Sequence, residues 1–256
     1  FIYPEIDDSF LNYLDDDGSL VEPIYYVPII PMILVNGTKG IGTGFSSDIM
    51  CYNPKQIINY LENMLKQKEI KDYGLIEPYY RGFTGKIYAI DDNYKKYIIK
   101  GCYNIKDKNT IIINELPIGT WTQNYKEFLE TVLDTKLKVK SNEELYIKEF
   151  KDMSTDTQVE FEVIFYPNSI NKLLSKNNEN GIDGIEKYLK LYTTHSTTNM
   201  HLFNFNEQLK KYENIYEIID EFYNIRYKLY EKRKVYLIDK IEYDLKILSN
   251  KTILIQ

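Results

Sequence analysis

The run Asn36-Gly-Thr-Lys-Gly-Ile-Gly-Thr-Gly-Phe45 carries glycine at positions 37, 40, 42 and 44, a density at which a backbone can turn sharply and lie close to a ligand. Loops of this kind expose backbone donors, and phosphate is the ligand such donors take. The spacing fails both nucleotide patterns, however: no Gly-Lys-Ser/Thr follows, and Gly40-x-Gly42-x-Gly44 lacks the gap of G-x-G-x-x-G. Metal chemistry is no better supplied. Cys51, Cys102, His195 and His201 are the whole cysteine and histidine content, and they lack the paired spacing of a zinc site. Asp15, Asp16 and Asp17 resemble a magnesium cluster, but consecutive carboxylates before Gly18 point in different directions and read as a solvated turn. The expectation is that these residues hold no metal and no cofactor.

The elements that must position the glycine run are clearly punctuated. Ahead of it, Pro23, Pro28 and Pro31 interrupt the apolar stretch from Pro23 to Val35 and deny backbone donors to a helix or central strand, which predicts an extended, buried connection. After it, Asn53 as N-cap and Pro54 at the first helical position open a helix, with Ile57, Ile58, Leu61 and Leu65 at core spacing and an end near Gln67. From Arg81 to Leu116, runs such as Tyr97-Ile-Ile and Thr110-Ile-Ile-Ile between Gly82, Gly85, Gly101 and Asp91-Asp92-Asn93 predict a small antiparallel sheet. Pro117 stops its last strand.

Thr120-Trp-Thr-Gln123 has capping-box spacing, which places Trp121, the sole tryptophan, at the N-terminus of a helix carrying Tyr125, Phe128, Leu129 and Leu133. Val159, Phe161, Val163 and Phe165 alternate with polar residues as a half-buried strand does, and Pro167 closes it. The polar run 177–181 reads as an exposed loop. Beyond Gly184 neither glycine nor proline occurs, which permits helix to the end. Within that stretch Ile215, Ile218, Phe222, Ile225 and Leu229 repeat as a coiled-coil seam, resumed in a shifted register by Ile238, Ile241, Leu245 and Leu248.

The chain has 256 residues and a mass of 30.4 kDa, enough for a real core. No stretch reaches the roughly 18 apolar residues of a membrane span, and no signal peptide is evident. A soluble, intracellular protein is expected. The first residue is Phe1 and the last residues form the apolar run Ile253-Leu254-Ile255, so a segment of a longer polypeptide is expected, with catalytic groups lying outside it. The net charge of −6 argues at first sight against nucleic acid. Seven acids and no Lys or Arg stand in residues 1–23, so the remainder carries +1 and can present a local basic face. The 29 lysines against Arg81, Arg226 and Arg233, together with 25 tyrosines, are the skew an AT-rich genome produces.

Glu22-Pro-Ile-Tyr-Tyr-Val-Pro-Ile-Ile-Pro-Met-Ile-Leu-Val-Asn-Gly-Thr-Lys-Gly-Ile-Gly-Thr-Gly-Phe-Ser-Ser47 resembles the segment that follows the catalytic tyrosine in eukaryotic-type DNA topoisomerase II. Asn53-Pro54, Tyr80-Arg-Gly-Phe-Thr-Gly85, Asn114-Glu-Leu-Pro-Ile-Gly-Thr-Trp-Thr-Gln123, Thr197-Thr-Asn-Met-His-Leu-Phe203 and Glu221-Phe-Tyr-Asn-Ile-Arg-Tyr227 resemble the same family in the same order. A bacterial gyrase-type enzyme would share the glycine loop but not the Gly-Thr-Trp-Thr-Gln element.

The resemblance implies an α+β fold: the tail of a winged-helix domain over 1–24, a tower domain with an antiparallel sheet and helices over 25–211, and the start of a coiled-coil arm to the exit gate over 212–256. It implies part of the DNA gate of an ATP-dependent isomerase that binds and bends one duplex while another passes. The catalytic tyrosine, its arginine partner, the magnesium-binding acids and the ATPase would lie before Phe1, with Mg2+ and ATP serving the full-length enzyme. The implied partners are double-stranded DNA and a second copy of the full-length enzyme, with no membrane. The implied location is the nucleus, or the replication site of a virus if virus-encoded.

By the same resemblance Ile41 is the side chain wedged between base steps, while Trp121, Thr120, Lys39 and Arg81 contact DNA. A β-branched apolar side chain between glycines suits the wedge role. Without the resemblance, Ile41 would read as a plug into its own core, Trp121 as a half-buried core residue, and Lys39 and Arg81 as solvated cations. Arg226, Lys228, Lys232, Arg233, Lys234 and Lys240 read as a charged helix surface. Gly119 departs from the arginine common in animal enzymes at that place. A second function class is a self-standing DNA-bending or scaffold module dimerised by its coiled coil.

Overall fold

The computed structural model describes residues 2–67, 73–133, 145–176, 178 and 180–255. It is an α+β structure in which every strand pairing among those residues is antiparallel. The backbone divides into two compact units, Phe1–Tyr79 with Thr198–Gln256, and Tyr80–Thr197.

In the first unit a 3-10 helix, Glu5–Phe10, precedes the hairpin of β1 (Tyr13–Asp16) and β2 (Ser19–Pro23). The aspartate run is its turn: Asp17 and Gly18 have φ of 48° and 84°, and the Gly18 N–H donates to Asp15 Oδ1 at 2.7 Å. The proline-rich connection buries Val27, Ile30 and Leu34 as expected, but it is not extended throughout. Helix α1 (Met32–Asn36) starts after Pro31, where a missing N–H costs nothing because helix-start donors are unpaired anyway.

The glycine run becomes β3 (Thr38–Gly42) and β4 (Phe45–Ile49). Helix α2 (Pro54–Leu65) follows, with Asn53 Oδ1 capping the Lys55 N–H at 2.9 Å. Ile57 and Leu61 are buried, with Tyr60 between them, whereas Ile58 and Leu65 face outward.

The second unit holds a three-stranded and a four-stranded sheet. The first has the order β11-β6-β5, from β5 (Lys86–Ala89), β6 (Lys96–Lys100) and β11 (Tyr192–Ser196). The second has the order β7-β8-β10-β9, from β7 (Cys102–Ile105), β8 (Thr110–Glu115), β9 (Ile147–Asp152) and β10 (Phe161–Phe165). The alternation expected over 158–165 is realised from Phe161, and Phe161, Val163 and Phe165 enter a core shared with Ile111, Ile113 and Leu129. The helices of this unit are α3 (Thr122–Leu133), α4 (Ser169–Leu174) and α5 (Gly184–Tyr188).

A capping box forms at Asp183–Glu186, through Glu186 N–H to Asp183 Oδ1 at 2.8 Å and Asp183 N–H to Glu186 Oε2 at 2.9 Å. At Thr120 the expected box is displaced: the Gln123 side chain donates along the helix to Glu127, and α3 begins one residue later. In the expected loop 177–181, Asn178, Asn180 and Gly181 are exposed, and Asn177 and Glu179 lie outside the described residues.

The helix permitted after Gly184 is interrupted. Between α5 and the last helix stand β11 and the hairpin of β12 (Met200–Phe203) and β13 (Leu209–Tyr212). Tyr192-Thr-Thr-His-Ser196 shows why: β-branched and aromatic residues favour the pleated surface even where nothing forbids helix. Helix α6 (Ile215–Ile255) then runs for 41 residues, about 60 Å. Ile215, Ile218, Phe222 and Leu229 are buried on it, while Ile238, Ile241, Leu245 and Leu248 are exposed. Its start is tied to β13 through Glu221, whose Oε2 accepts from Lys210 Nζ at 2.7 Å and Tyr212 Oη at 3.0 Å.

Two of the three arginines are not surface charges. Arg226 is 3% exposed and its Nη1 donates to Asp7 Oδ2 and, at 3.1 Å, to the Val27 carbonyl. Arg233 grips the same carboxylate with Nε at 2.8 Å and Nη2 at 2.7 Å, and the Tyr230 ring lies 4.2 Å from the Arg226 guanidinium carbon. Asp7, itself 3% exposed, thus fixes the 3-10 helix to the first half of α6.

Candidate nucleic-acid interface

The β3–β4 hairpin pairs Thr38 with Ile49, Lys39 with Asp48, Gly40 with Ser47, Ile41 with Ser46 and Gly42 with Phe45, and it turns through Thr43-Gly44. A Cβ on Gly42 would meet the Phe45 ring at 2.7 Å, so the ring in its present place lies over a bare backbone. Ile41 stands near the tip at 93% exposure. An apolar side chain so exposed is no core plug. Lys39, two residues away on the same face of the hairpin, is 84% exposed, with only a 3.9 Å pairing to Asp48. A strand, not a helix, follows the glycines, so the helix-start dipole of a phosphate cradle is missing here. Behind the hairpin, Cys51 Sγ donates to the Asn36 carbonyl at 3.1 Å, and burial pushes its thiol pKa up, which leaves it a poor nucleophile.

In the second unit, Pro117 to Thr120 form a turn closed by Thr120 N–H to Pro117 O at 3.0 Å, with Gly119 at φ 86°. That angle strains any side chain with a Cβ, which is the local reason an arginine is ill suited to this position. Trp121 follows, its carbonyl accepting the Tyr125 N–H at 3.0 Å and its indole 75% exposed. Tyr125 anchors the helix inward by donating to the Leu189 carbonyl at 2.8 Å. Thr120 is half-buried at the same end, and beside it lies a cleft of about 670 Å³ lined by Asn124, Lys187, Lys190, Thr193 and Thr194.

The two lysines were not singled out by sequence; their spacing on α5 and the turn after it carries no motif. Arg81 is exposed in the turn that opens this unit. Lys39 and Ile41 therefore share one hairpin, and Thr120 and Trp121 one helix start. Among the described residues no group of three or more His, Cys, Asp or Glu is placed to hold a metal ion, and no helix is long and apolar enough to cross a membrane.

The family model for the DNA gyrase/topoisomerase IV A-subunit matches residues 1–256. The chain belongs to this family. Within it, the chain is similar to DNA topoisomerase 2 of Pisum sativum, 39% identical over 252 residues, which is 98% of this chain and 16% of that protein. It is also similar to DNA topoisomerase 2 of Bombyx mori, 40% identical over 250 residues, 97% of this chain and 15% of that protein. Among solved structures it is similar to the DNA-binding, cleavage and re-ligation domain of Plasmodium falciparum topoisomerase II, with a TM-score of 0.85, 39% identity, and coverage of 98% of this chain and 32% of that one. The chain spans about a sixth of the length of the curated topoisomerase relatives it matches. A match along the whole chain does not favour a self-standing bending or scaffold module over a piece of the topoisomerase gate.

Proposed function

We propose that these residues form part of the DNA gate of an ATP-dependent type II DNA topoisomerase, holding and bending the duplex to be cleaved while another passes. The observation that carries this reading is the near-complete exposure of Ile41, an apolar side chain carried near the tip of the β3–β4 hairpin. Unstacking a base step costs roughly a few kcal/mol, offset by the extra contacts a bent duplex offers. A stiff β-branched side chain keeps its shape against that load.

Lys39, Arg81, Thr120 and Trp121 contact the DNA backbone and position it without reading sequence. In the cleft beside Thr120, Lys187 and Lys190 supply the charge that an arginine at position 119 would have brought.

Strand cleavage belongs to other parts of the full-length enzyme, which uses Mg2+ and ATP; here Asp15 accepts the Gly18 N–H in the hairpin turn. Residues 1–24 are read as the tail of a winged-helix domain, 25–211 as the tower and 212–256 as the start of the coiled-coil arm. The full-length enzyme acts on double-stranded DNA as a homodimer inside the cell, in the nucleus or, if virus-encoded, at a viral replication site. A duplex carrying 2-aminopurine at the bent step tests the wedge. Fluorescence should rise on binding the full-length enzyme and rise far less with Ile41→Ala, and an equal rise with both proteins refutes it.

A further inference from the structure

We infer that Asn199 and His201 are positioning residues for the Ile41 wedge, an assignment that rests on the DNA-gate reading above. Ile41 is presented by a two-stranded hairpin, and such a hairpin alone is only marginally stable in water. Something must hold it at a fixed angle if it is to pry bases apart. The residues of β4 that face the functional side chains of β3 are Ser46, opposite Ile41, and Asp48, opposite Lys39.

Both are tied to one short segment lying about 150 residues later in the chain. The Asn199 carbonyl accepts the Asp48 N–H at 2.8 Å, and Asn199 Nδ2 donates to Ser46 Oγ at 2.6 Å. His201 Nδ1 lies 3.0 Å from the Ser46 carbonyl and 3.0 Å from Asn199 Oδ1. Both partners are acceptors, so Nδ1 carries the hydrogen and donates to the two together. The Phe45 ring, next to Ser46, sits 6.4 Å from the His201 ring and 6.2 Å from the Phe203 ring.

Met200, between the two polar residues, is buried in the core. The labour is divided: Met200 fastens β12 to the body, while Asn199, just before the strand, and His201 within it bond the hairpin. The clamp holds β4 at Ser46 and Asp48, directly across from Ile41 and Lys39. It sets the angle at which Ile41 meets a duplex without touching DNA.

The test uses the full-length protein, a duplex labelled at both ends for energy transfer, and the thermal midpoint as a parallel readout. His201→Ala and Asn199→Ala should each reduce the bent fraction about fivefold, the factor carried by one net hydrogen bond, with the thermal midpoint little changed. His201→Asn places an amide N–H where Nδ1 stood and should restore bending. His201→Gln, whose amide reaches the Nε2 place, should not. Restoration by Gln as fully as by Asn would show that bulk, not the Nδ1 hydrogen bond, is what matters, and would overturn the assignment; so would normal bending by both alanine variants. Ile41→Ala runs alongside. If it bends DNA normally, the wedge reading itself fails; if it alone loses bending, only the clamp is refuted.

Discussion

Replacing Ile41 by alanine removes three of the four side-chain carbons. At about 0.8 kcal/mol per buried methylene, full insertion between bases would make those carbons worth about 2.4 kcal/mol in the bent complex. That corresponds to about a sixtyfold shift in the ratio of bent to straight duplex, and it is an upper bound because a wedge can be only partly covered. Ile41→Val, which removes one carbon, should shift the ratio about fourfold on the same scale. Folding should barely respond: a side chain exposed to 93% has no packing to lose, so the stability change stays within about 0.5 kcal/mol. By contrast Leu34→Ala, at a fully buried position, should cost about 2–5 kcal/mol. The assay is the efficiency of energy transfer across an end-labelled duplex bound by the full-length enzyme, with cleavage followed in parallel. A bent fraction unchanged in alanine, or a loss that is the same for valine and alanine, refutes the reasoning. So does a loss of bending that merely follows a fall in thermal midpoint.

If Trp121 contacts the DNA backbone as proposed, Trp121→Ala should weaken binding to duplexes of unrelated sequence by similar factors, because backbone contacts position DNA and do not read it; filter binding against several sequences checks this, and a sequence-selective loss contradicts it. Asp7→Ala leaves buried Arg226 without its counter-charge and should cost about 3–5 kcal/mol in urea unfolding, against less than about 1 kcal/mol for Glu62→Ala at the exposed Lys66 pair. Around Glu221, burial raises the carboxyl pKa, but the hydrogen bonds from Lys210 and Tyr212 outweigh it and hold the net value below the usual one. A carboxyl lowered on folding contributes stability above its unfolded pKa, near 4.3, and loses it as pH falls through the folded value. The difference in urea midpoint between the protein and Glu221→Gln should therefore shrink as pH drops below about 4, and a difference independent of pH would contradict the assignment.

What could be read from sequence was whatever is local. Asn53-Pro54 declares a helix start through one cap and one fixed φ, and Phe161, Val163 and Phe165 declare a buried face through alternation alone. The glycine run signals an unusual backbone, but whether Ile41 points inward or outward depends on the pairing of β3 with β4 and on what lies around it, which spacing does not encode. Arg226 and Arg233 looked like solvated charges because their partner, Asp7, lies more than two hundred residues away in an acidic lead that appeared uniform. Asn199 and His201 are equally silent, since they act on Ser46 and Asp48 through hydrogen bonds that only the fold creates. The strands after Gly184 were missed because the absence of glycine and proline removes an obstacle to helix without supplying a reason for one.

The paired grip of Asp7 on Arg226 and Arg233 has a mechanical corollary. The two anchors are seven residues apart, about 10 Å along the axis, and the helix continues about 33 Å beyond the second. A stiff rod held at two such points is a lever, and half an ångström of slack between the anchors becomes about 1.5 Å of swing at Ile255. Slackening one carboxylate is therefore enough to change where the far end of the rod can reach.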